Sequence, residues 1–261
     1  MDKIKTIMIP FDFTKASRNA LEYAVKFVGR LDHIKIVLAY VSGNCNLQLS
    51  PENFENLEKK YAGLLQNKLE WEIQEGKLVD TLLEIKKKDK IDLIIMGTAG
   101  DDKLGDNQHT NTAKLVLACN CPVLVVPKSY SEYNLVNIAL VIGKEEIDDT
   151  KRLVTLLMIA RKFNAKVHVL TVENEPVLYG YSKEEEKNES AIEYYLETFY
   201  QERAFIKNDD ILDGINTYGI KNEIDLVTIL PRNHAESGKP SEAELTQRLI
   251  LNSKIPLLIL E

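Results

Sequence analysis

The sequence has few cysteines, no long hydrophobic run and no excess of positive charge, and each absence excludes a class of protein. Three cysteines, Cys45, Cys119 and Cys121, are too few for a disulfide-stabilised secreted scaffold and are typical of a reducing cytoplasm. No apolar run approaches the roughly 20 residues that a transmembrane helix needs. The N-terminus leads into a strand pattern rather than a signal-peptide core, and the net charge of −7 argues against a general nucleic-acid-binding protein. We therefore expect a cytoplasmic protein that binds neither membranes nor nucleic acids.

Motifs for catalysis are equally scarce. The sequence has no nucleophile elbow, no Walker-type Gly-Lys-Ser/Thr run and no cluster of metal-ligating residues. Cys119 and Cys121 are too few for a tetrahedral metal site, and we interpret them as small residues at the entrance to a buried strand. The sequence therefore predicts no catalytic residue and no resident metal ion.

The composition is that of a globular protein with an ample core. Hydrophobic residues make up 44% and charged residues 28% of the chain, and 261 residues allow one large domain or two of ordinary size. The acidity lies in the second half: residues 1–130 carry 18 Lys and Arg against 17 Asp and Glu, whereas residues 131–261 carry 15 against 23. An anionic ligand would therefore meet less repulsion in the first half.

Strand-like and helix-like patterns alternate along residues 1–130. Short turns separate apolar runs from helical stripes, and Thr14 is a plausible N-cap for the first helix. Such alternation predicts an α/β domain, in which a five-stranded parallel sheet has helices on both faces. The predicted strands are Lys5–Phe11, Ile34–Val41, Leu69–Ile73, a run from Asp92 that stops at Gly97, and Val123–Val126.

The pattern starts again after a short polar junction at residues 128–133. Ile91-Asp92-Leu93-Ile94 is repeated as Ile224-Asp225-Leu226-Val227, at an offset of 133 residues. The sequence therefore predicts two tandem domains of the same fold, residues 1–130 and 134–261. Within the second domain it also predicts a long acidic helix from about Lys183 to Tyr200 and a short strand from Arg203 to Lys207.

The residues with the clearest functional pattern lie where two predicted strands end. Asp12 follows the first strand, and Gly97 and Gly100 follow the fourth. A strand, a glycine turn, a polar loop and a helix start together form a common phosphate cradle. Carboxyl ends of parallel strands meet at one edge, so Asp12 and Gly97 can share a site. Structural alternatives remain: Asp12 as part of the polar helix entry, the glycines as a tight turn, and Thr110 as a helix cap.

The first half resembles the universal stress protein family, and the whole chain resembles its tandem two-domain members. Four features carry the resemblance: Ile7 to Thr14, Glu75-Gly76 with the helix to Ile85, Asp92 to Gly100, and Thr110 to Pro127. The resemblance implies a Rossmann-like or flavodoxin-like five-stranded sheet in each domain. It also implies an intramolecular pseudo-dimer, in which the domains pair through their last strands, with further dimerisation open. In some members of the family the fold binds ATP or AMP.

The resemblance also implies a set of nucleotide-binding residues in the first domain. In binding members the position of Asp12 contacts adenine, the backbone at Val41 contacts the base, and Met96-Gly97 lies at the ribose and phosphates. The remaining positions wrap the phosphates: Gly100, His109, Thr110 and Asn111. His109 stands where the family has a second glycine, and eight residues separate it from Gly100, a loop one residue shorter than the family pattern. We interpret His109 as a loop residue rather than a catalytic base.

The second domain departs further from the family pattern. Gly143 falls near the place of Asp12, and Leu230-Pro231-Arg232-Asn233 replaces the glycine turn. Pro231 has no N–H to offer a phosphate, so we interpret this copy as structural and Arg232 and His234 as part of a solvated loop.

Three hypotheses for the function follow. The first is a non-enzymatic cytoplasmic stress-response protein that binds an adenine nucleotide, ATP or AMP with Mg, in the first domain only. The second is a scaffold that uses no nucleotide, in which the acidic helix near Glu184–Glu197 recruits an unknown protein partner. The third is a weak ATP hydrolase, which only the measurement of product can separate from the first.

Overall fold

The computed structural model describes residues 4–43, 51–98, 110–142, 150–173, 191–230 and 241–260. The chain divides into two compact units, Met1–Tyr133 and Asn134–Glu261. None of the helices in the described ranges is both long and apolar enough to cross a membrane.

The first unit alternates strands and helices along the chain. The elements are β1 Thr6–Pro10, α1 Lys15–Val28, β2 Lys35–Ser42, α2 Pro51–Tyr61, β3 Glu70–Glu75, α3 Leu78–Asp89, β4 Leu93–Thr98, α4 Asn111–Ala118 and β5 Val123–Pro127. The sheet has the order β3-β2-β1-β4-β5, and every neighbouring pair of strands is parallel, which confirms the predicted five-stranded sheet. Right-handed crossovers place α1 and α2 on one face and α3 and α4 on the other; accordingly α3 packs against α4.

The second unit repeats this order of elements. The elements are β6 Asn137–Val141, a 3-10 turn Thr150–Leu153, α5 Val154–Phe163, β7 Lys166–Glu173, α6 (described over residues 191–196), β8 Tyr200–Lys207, α7 Ile211–Lys221, β9 Leu226–Ile229, α8 Ser241–Asn252 and β10 Leu257–Ile259. The strands run β8-β7-β6-β9-β10 across the sheet, again all parallel.

The end of the predicted acidic helix is wrong. Its described part ends at residue 196, a 3-10 turn follows at Glu197–Phe199, and β8 begins at Tyr200 rather than Arg203. Tyr200 pairs with Val167 of β7, so backbone pairing at the sheet edge overrides the charge pattern that suggested helix. The rest of the predicted helix, before residue 191, lies outside the described residues.

The aspartate of the repeated Ile-Asp pair has the same role in each unit. Asp92 Oδ2 accepts hydrogen bonds from the backbone N–H groups of Lys5 and Thr6, at 2.7 and 3.0 Å. In the second unit, Asp225 Oδ2 accepts from Val136 and Asn137, at 2.7 and 2.9 Å. Each carboxylate therefore fixes the first strand of its sheet beside the fourth. This shared role explains why the Ile-Asp pair occurs in both units.

The junction between the units is anchored on the first one. Asn19 of α1 donates from Nδ2 to the carbonyl oxygens of Pro127 and Tyr130, at 2.8 and 2.9 Å. Lys26 places its Nζ 3.4 Å from the centre of the Tyr133 ring. These contacts hold residues 127–133 against α1.

Candidate functional site

The sheet of the first unit reverses its winding direction between β1 and β4. From β1 the chain winds outward through β2 to β3, then crosses back to β4 and β5 on the other side. Ligands of open α/β sheets bind beyond the carboxyl ends of the strands at such a reversal. Asp12 follows β1 here, and Gly97 lies near the end of β4, so the fold brings these two predicted residues to the same edge.

Asp12 is exposed and begins the entry to α1. Its Oδ1 accepts from the backbone N–H of Thr14 at 3.1 Å and from the Thr14 hydroxyl at 2.6 Å. Thr14 in turn caps α1, because its side chain accepts from the N–H of Ser17, as the sequence predicted. Oδ2 of Asp12 accepts no hydrogen bond from the described part of the chain.

An aromatic cluster lies next to Asp12, and sequence reasoning missed it. Phe13 has the left-handed backbone conformation, with φ 63°, which few non-glycine residues adopt. Its ring lies 4.8 Å from Phe11 and 5.0 Å from Phe54, measured between centroids. Arg18 donates from Nε to the Phe13 carbonyl at 3.0 Å, so packing and this bond together hold the unusual turn. The Phe-Asp-Phe sequence around Asp12 was the available signal.

Val41 and Met96 occupy the ends of two central strands. Val41 is half-buried near the end of β2 and pairs with Gln74 of β3. Met96 is 8% exposed in β4 and pairs with Val125 of β5. Both therefore lie towards the carboxyl edge where Asp12 and Gly97 are found.

Gly97 is a strand residue, so the prediction that the strand stops there is wrong. It pairs with Val126, and β4 continues through Thr98 because β5 supplies backbone partners as far as Pro127. A Cβ added to Gly97 would lie 2.1 Å from the carbonyl oxygen of Ala16 and 2.4 Å from its carbonyl carbon. The close packing of the first turn of α1 against β4 thus requires glycine here, whether or not a ligand binds.

The start of α4 completes the carboxyl edge. Thr110 caps this helix, because its Oγ1 accepts from the N–H of Ala113 at 3.1 Å, and the prediction that it is a cap is confirmed. Asn111 is the exposed first residue of α4. Gly100 and His109, the other two predicted site residues, lie outside the described residues.

A cavity of about 580 Å³ lies at the other edge of the same sheet, where no site was predicted. Lys88 forms an ion pair with Glu72 and holds the pKa of that carboxyl below its usual value, while burial and the Glu72 charge raise the pKa of Asp89. The residues that line the cavity surround the amino ends of β1, β2 and β3. The cavity is therefore separate from the Asp12 edge. Its lining residues are Lys5, Thr6, His33, Lys35, Val37, Glu70, Trp71, Glu72 and Asp89.

The second unit has a polar cluster between β7, β8 and α7. Tyr218 donates to Glu202 Oε1 at 2.9 Å, and Nδ1 of the buried His168 lies 3.0 Å from the Tyr218 oxygen and 3.2 Å from Glu202 Oε1. Burial and the Glu202 bond raise the pKa of Tyr218, and the Tyr218 bond lowers the pKa of Glu202. Among the residues described, no group of three or more His, Cys, Asp or Glu is arranged to hold a metal ion.

In the second unit, the residues predicted to replace Asp12 and the glycine turn lie only partly within the described residues. Leu230, which the offset of 133 residues places at the position of Gly97, follows β9. Gly143, Pro231, Arg232 and His234 lie outside the described residues.

Comparison with known proteins finds a family match in the first unit. Residues 3–127 match the model of the universal stress protein family. A universal stress protein of Methanocaldococcus jannaschii is 29% identical over 145 residues, which cover 49% of this chain and 85% of that protein.

Solved structures add evidence for the fold. A universal stress protein from Archaeoglobus fulgidus DSM 4304 is similar with a TM-score of 0.72 at 13% identity, over 99% of this chain and 98% of that one. The cytoplasmic domain of a prokaryotic cation chloride cotransporter is similar with a TM-score of 0.56 at 9% identity, over 99% of this chain and 95% of that one. At these identities the likeness shows the fold alone. The first unit therefore carries the sequence pattern of the universal stress protein family, and the chain has the α/β fold of these proteins twice in tandem.

Proposed function

We propose that this chain is a non-enzymatic stress-response protein of the cytoplasm whose first unit binds an adenine nucleotide, ATP or AMP with Mg²⁺. The second unit binds none. The observation that supports this proposal is the exposed carboxylate of Asp12, which lies at the reversal point of the sheet with one oxygen left for a ligand. An apolar aromatic cluster lies beside it, and the start of α4 belongs to the same edge.

The residues at this edge suit the two ends of a nucleotide. An adenine base has N–H donors, and the Oδ2 atom of Asp12 can accept from them. The base also has an apolar face, which suits the nearby end of β2 at Val41. The phosphates carry negative charge, and the amino end of α4 at Thr110 and Asn111 offers backbone N–H groups and a partial positive charge. In this proposal Met96 and Gly97 lie at the ribose, and Gly100 and His109, which lie outside the described residues, belong to the phosphate part of the site.

Two features restrict the proposal to the first unit. Leu230 stands in the second unit where the first has Gly97, so a side chain fills the place of a bare backbone. The second half also carries the excess of acidic residues, which disfavours a polyphosphate.

Calorimetric titration with Mg-ATP, AMP and ADP tests the proposal. We expect binding to the full chain and a loss of affinity of at least tenfold, about 1.4 kcal/mol, in Asp12→Ala. The control is Thr14→Ala, which removes the helix cap that Asp12 also supports but leaves the carboxylate in place. Undiminished binding in Asp12→Ala would remove this residue from the site. Equal losses in the two variants would mean that Asp12 acts only through the helix entry.

A scaffold function without nucleotide is the second candidate, and two contacts favour it. Asp12 Oδ1 already has a structural role at Thr14, and Gly97 is required by the packing of Ala16. Both residues therefore have reasons to be present that need no ligand. Absence of heat and of any thermal shift at millimolar nucleotide would support the scaffold and would direct the search to protein partners.

A further inference from the structure

Two cysteines outside the nucleotide edge form a close pair. Cys119 and Cys121 lie between the end of α4 and the start of β5, and Asn120 separates them in the sequence. Their sulfur atoms are 3.2 Å apart. Sequence reasoning interpreted them as small residues at a strand entrance, and the proposed nucleotide site does not use them.

The local backbone explains why the two sulfurs meet. Cys119 is the C-cap of α4 and has extended dihedral angles, φ −96° and ψ 130°. Cys121 precedes Pro122, and a residue before proline is restricted to extended conformations. Asn120 and Cys121 lie in a bend of the chain, and this bend brings the two sulfur atoms together. Lys86 of α3 donates from Nζ to the Asn120 carbonyl at 2.8 Å, which holds the residue between the cysteines in place.

The two thiols differ in their exposure. Cys119 is half-buried, whereas Cys121 is 7% exposed. A disulfide requires sulfur atoms about 2.05 Å apart, so the pair needs an approach of only about 1.2 Å. An accessible thiol beside a protected one is the arrangement in which the first attacks an external disulfide and the second resolves the product.

We propose that Cys119 and Cys121 form a dithiol site that reacts with small-molecule disulfides. Cys119 loses its proton and attacks one sulfur of the small disulfide, so that a mixed disulfide forms and one small thiolate leaves. Cys121 then loses its proton and attacks the Cys119 sulfur, so that the internal disulfide forms and the second small thiolate leaves. The two protons pass to the two leaving thiolates. Two protein thiols are thus oxidised, and one small disulfide is reduced to two thiols.

The site lies at the opposite end of α4 from Thr110, and its chemistry needs no nucleotide. The internal disulfide would join the end of α4 to the residue before Pro122, at the entrance to β5. The inference is therefore independent of the proposed nucleotide binding.

Intact-mass measurement after reaction with oxidised glutathione tests the proposal. The parent protein is the full chain with Cys45→Ser, which leaves only the two cysteines of the pair. We expect it to lose two hydrogens and to keep no glutathione adduct, and dithiothreitol should reverse the change. Tryptic mapping should place the lost hydrogens in the peptide of residues 115–128, which contains both cysteines.

Two further variants test the assigned roles. With Cys121→Ser in the parent background, Cys119 should keep one stable glutathione adduct because no resolving thiol remains. With Cys119→Ser, the adduct at Cys121 should form at least about tenfold more slowly because that thiol is buried. Circular dichroism before the reaction serves as the folding control. An unchanged parent mass, or stable adducts on the parent without loss of hydrogen, would overturn the proposal; equal adduct rates in the two variants would overturn the roles.

Discussion

The replacement of Gly97 by alanine separates the packing role of this glycine from a role in ligand binding. The added methyl group would lie 2.1 Å from the carbonyl oxygen of Ala16 and 2.4 Å from its carbonyl carbon. Both atoms belong to the backbone at the start of α1, so no side-chain rotation relieves the overlap. The helix would have to move away from β4 by about 1 Å, because ordinary van der Waals contact begins at 3.4 Å.

The expected cost is at the upper end of the range for an overpacked core. Such substitutions usually cost about 1–3 kcal/mol, and we expect about 3 kcal/mol because backbone has to move. With a urea dependence of about 2 kcal/mol per molar for a small domain, the unfolding midpoint should fall by about 1.5 M.

Tryptophan fluorescence during urea unfolding measures this effect in the first unit. Trp71 is the single tryptophan of the chain, and its ring stacks on Phe54 at 5.7 Å. Gly63→Ala is the matched control, because a Cβ added to Gly63 would meet nothing within 4 Å, and its midpoint should stay close to that of the parent. If Gly97→Ala unfolds at the parent midpoint in the absence of nucleotide, then the packing explanation of this glycine is wrong.

Three further predictions concern polar groups that the structure places in defined roles. Asp92→Ala should lower the stability reported by Trp71 by about 2 kcal/mol, because two backbone N–H groups lose their acceptor; an unchanged urea midpoint would contradict the role of the repeated aspartate. Thr110→Ala should cost about 1 kcal/mol through the lost cap of α4, and in the same assay Thr110→Ser should restore most of it. Tyr218→Phe should lower the free energy of unfolding of the second unit by about 1 kcal/mol at neutral pH, because the hydrogen bond to Glu202 is lost. That loss should shrink as the pH falls below 4.5: Glu202 has its pKa lowered in the folded state, so its stabilisation is present above the unfolded value and is lost as the carboxylate protonates. A loss of stability that does not change with pH would contradict this assignment.

Local sequence rules predicted the scaffold of the candidate site well. Thr14 and Thr110 were predicted as caps because a hydroxyl before a helical stripe can accept from the first free N–H groups, and the structure confirms both. The parallel five-stranded sheet followed from the alternation of strand and helix patterns. The repeated Ile-Asp pair predicted a second copy, and the structure shows the aspartate in the same role in both sheets.

The features that were missed depend on packing between distant segments. Gly97 was interpreted as a turn or phosphate residue, but its cause is the carbonyl of Ala16, which is far away in the sequence and becomes a neighbour only in the folded unit. The left-handed turn at Phe13 depends on Phe54 of another helix. The start of β8 at Tyr200 is set by pairing with β7, which local charge cannot reveal.

Equilibrium dialysis of the full chain against labelled ATP in the presence of Mg²⁺ measures nucleotide binding directly. We expect one bound nucleotide per chain at saturation and its loss from the Asp12→Ala variant. Two nucleotides per chain would contradict the restriction to the first unit, and none at millimolar ATP would contradict nucleotide binding itself.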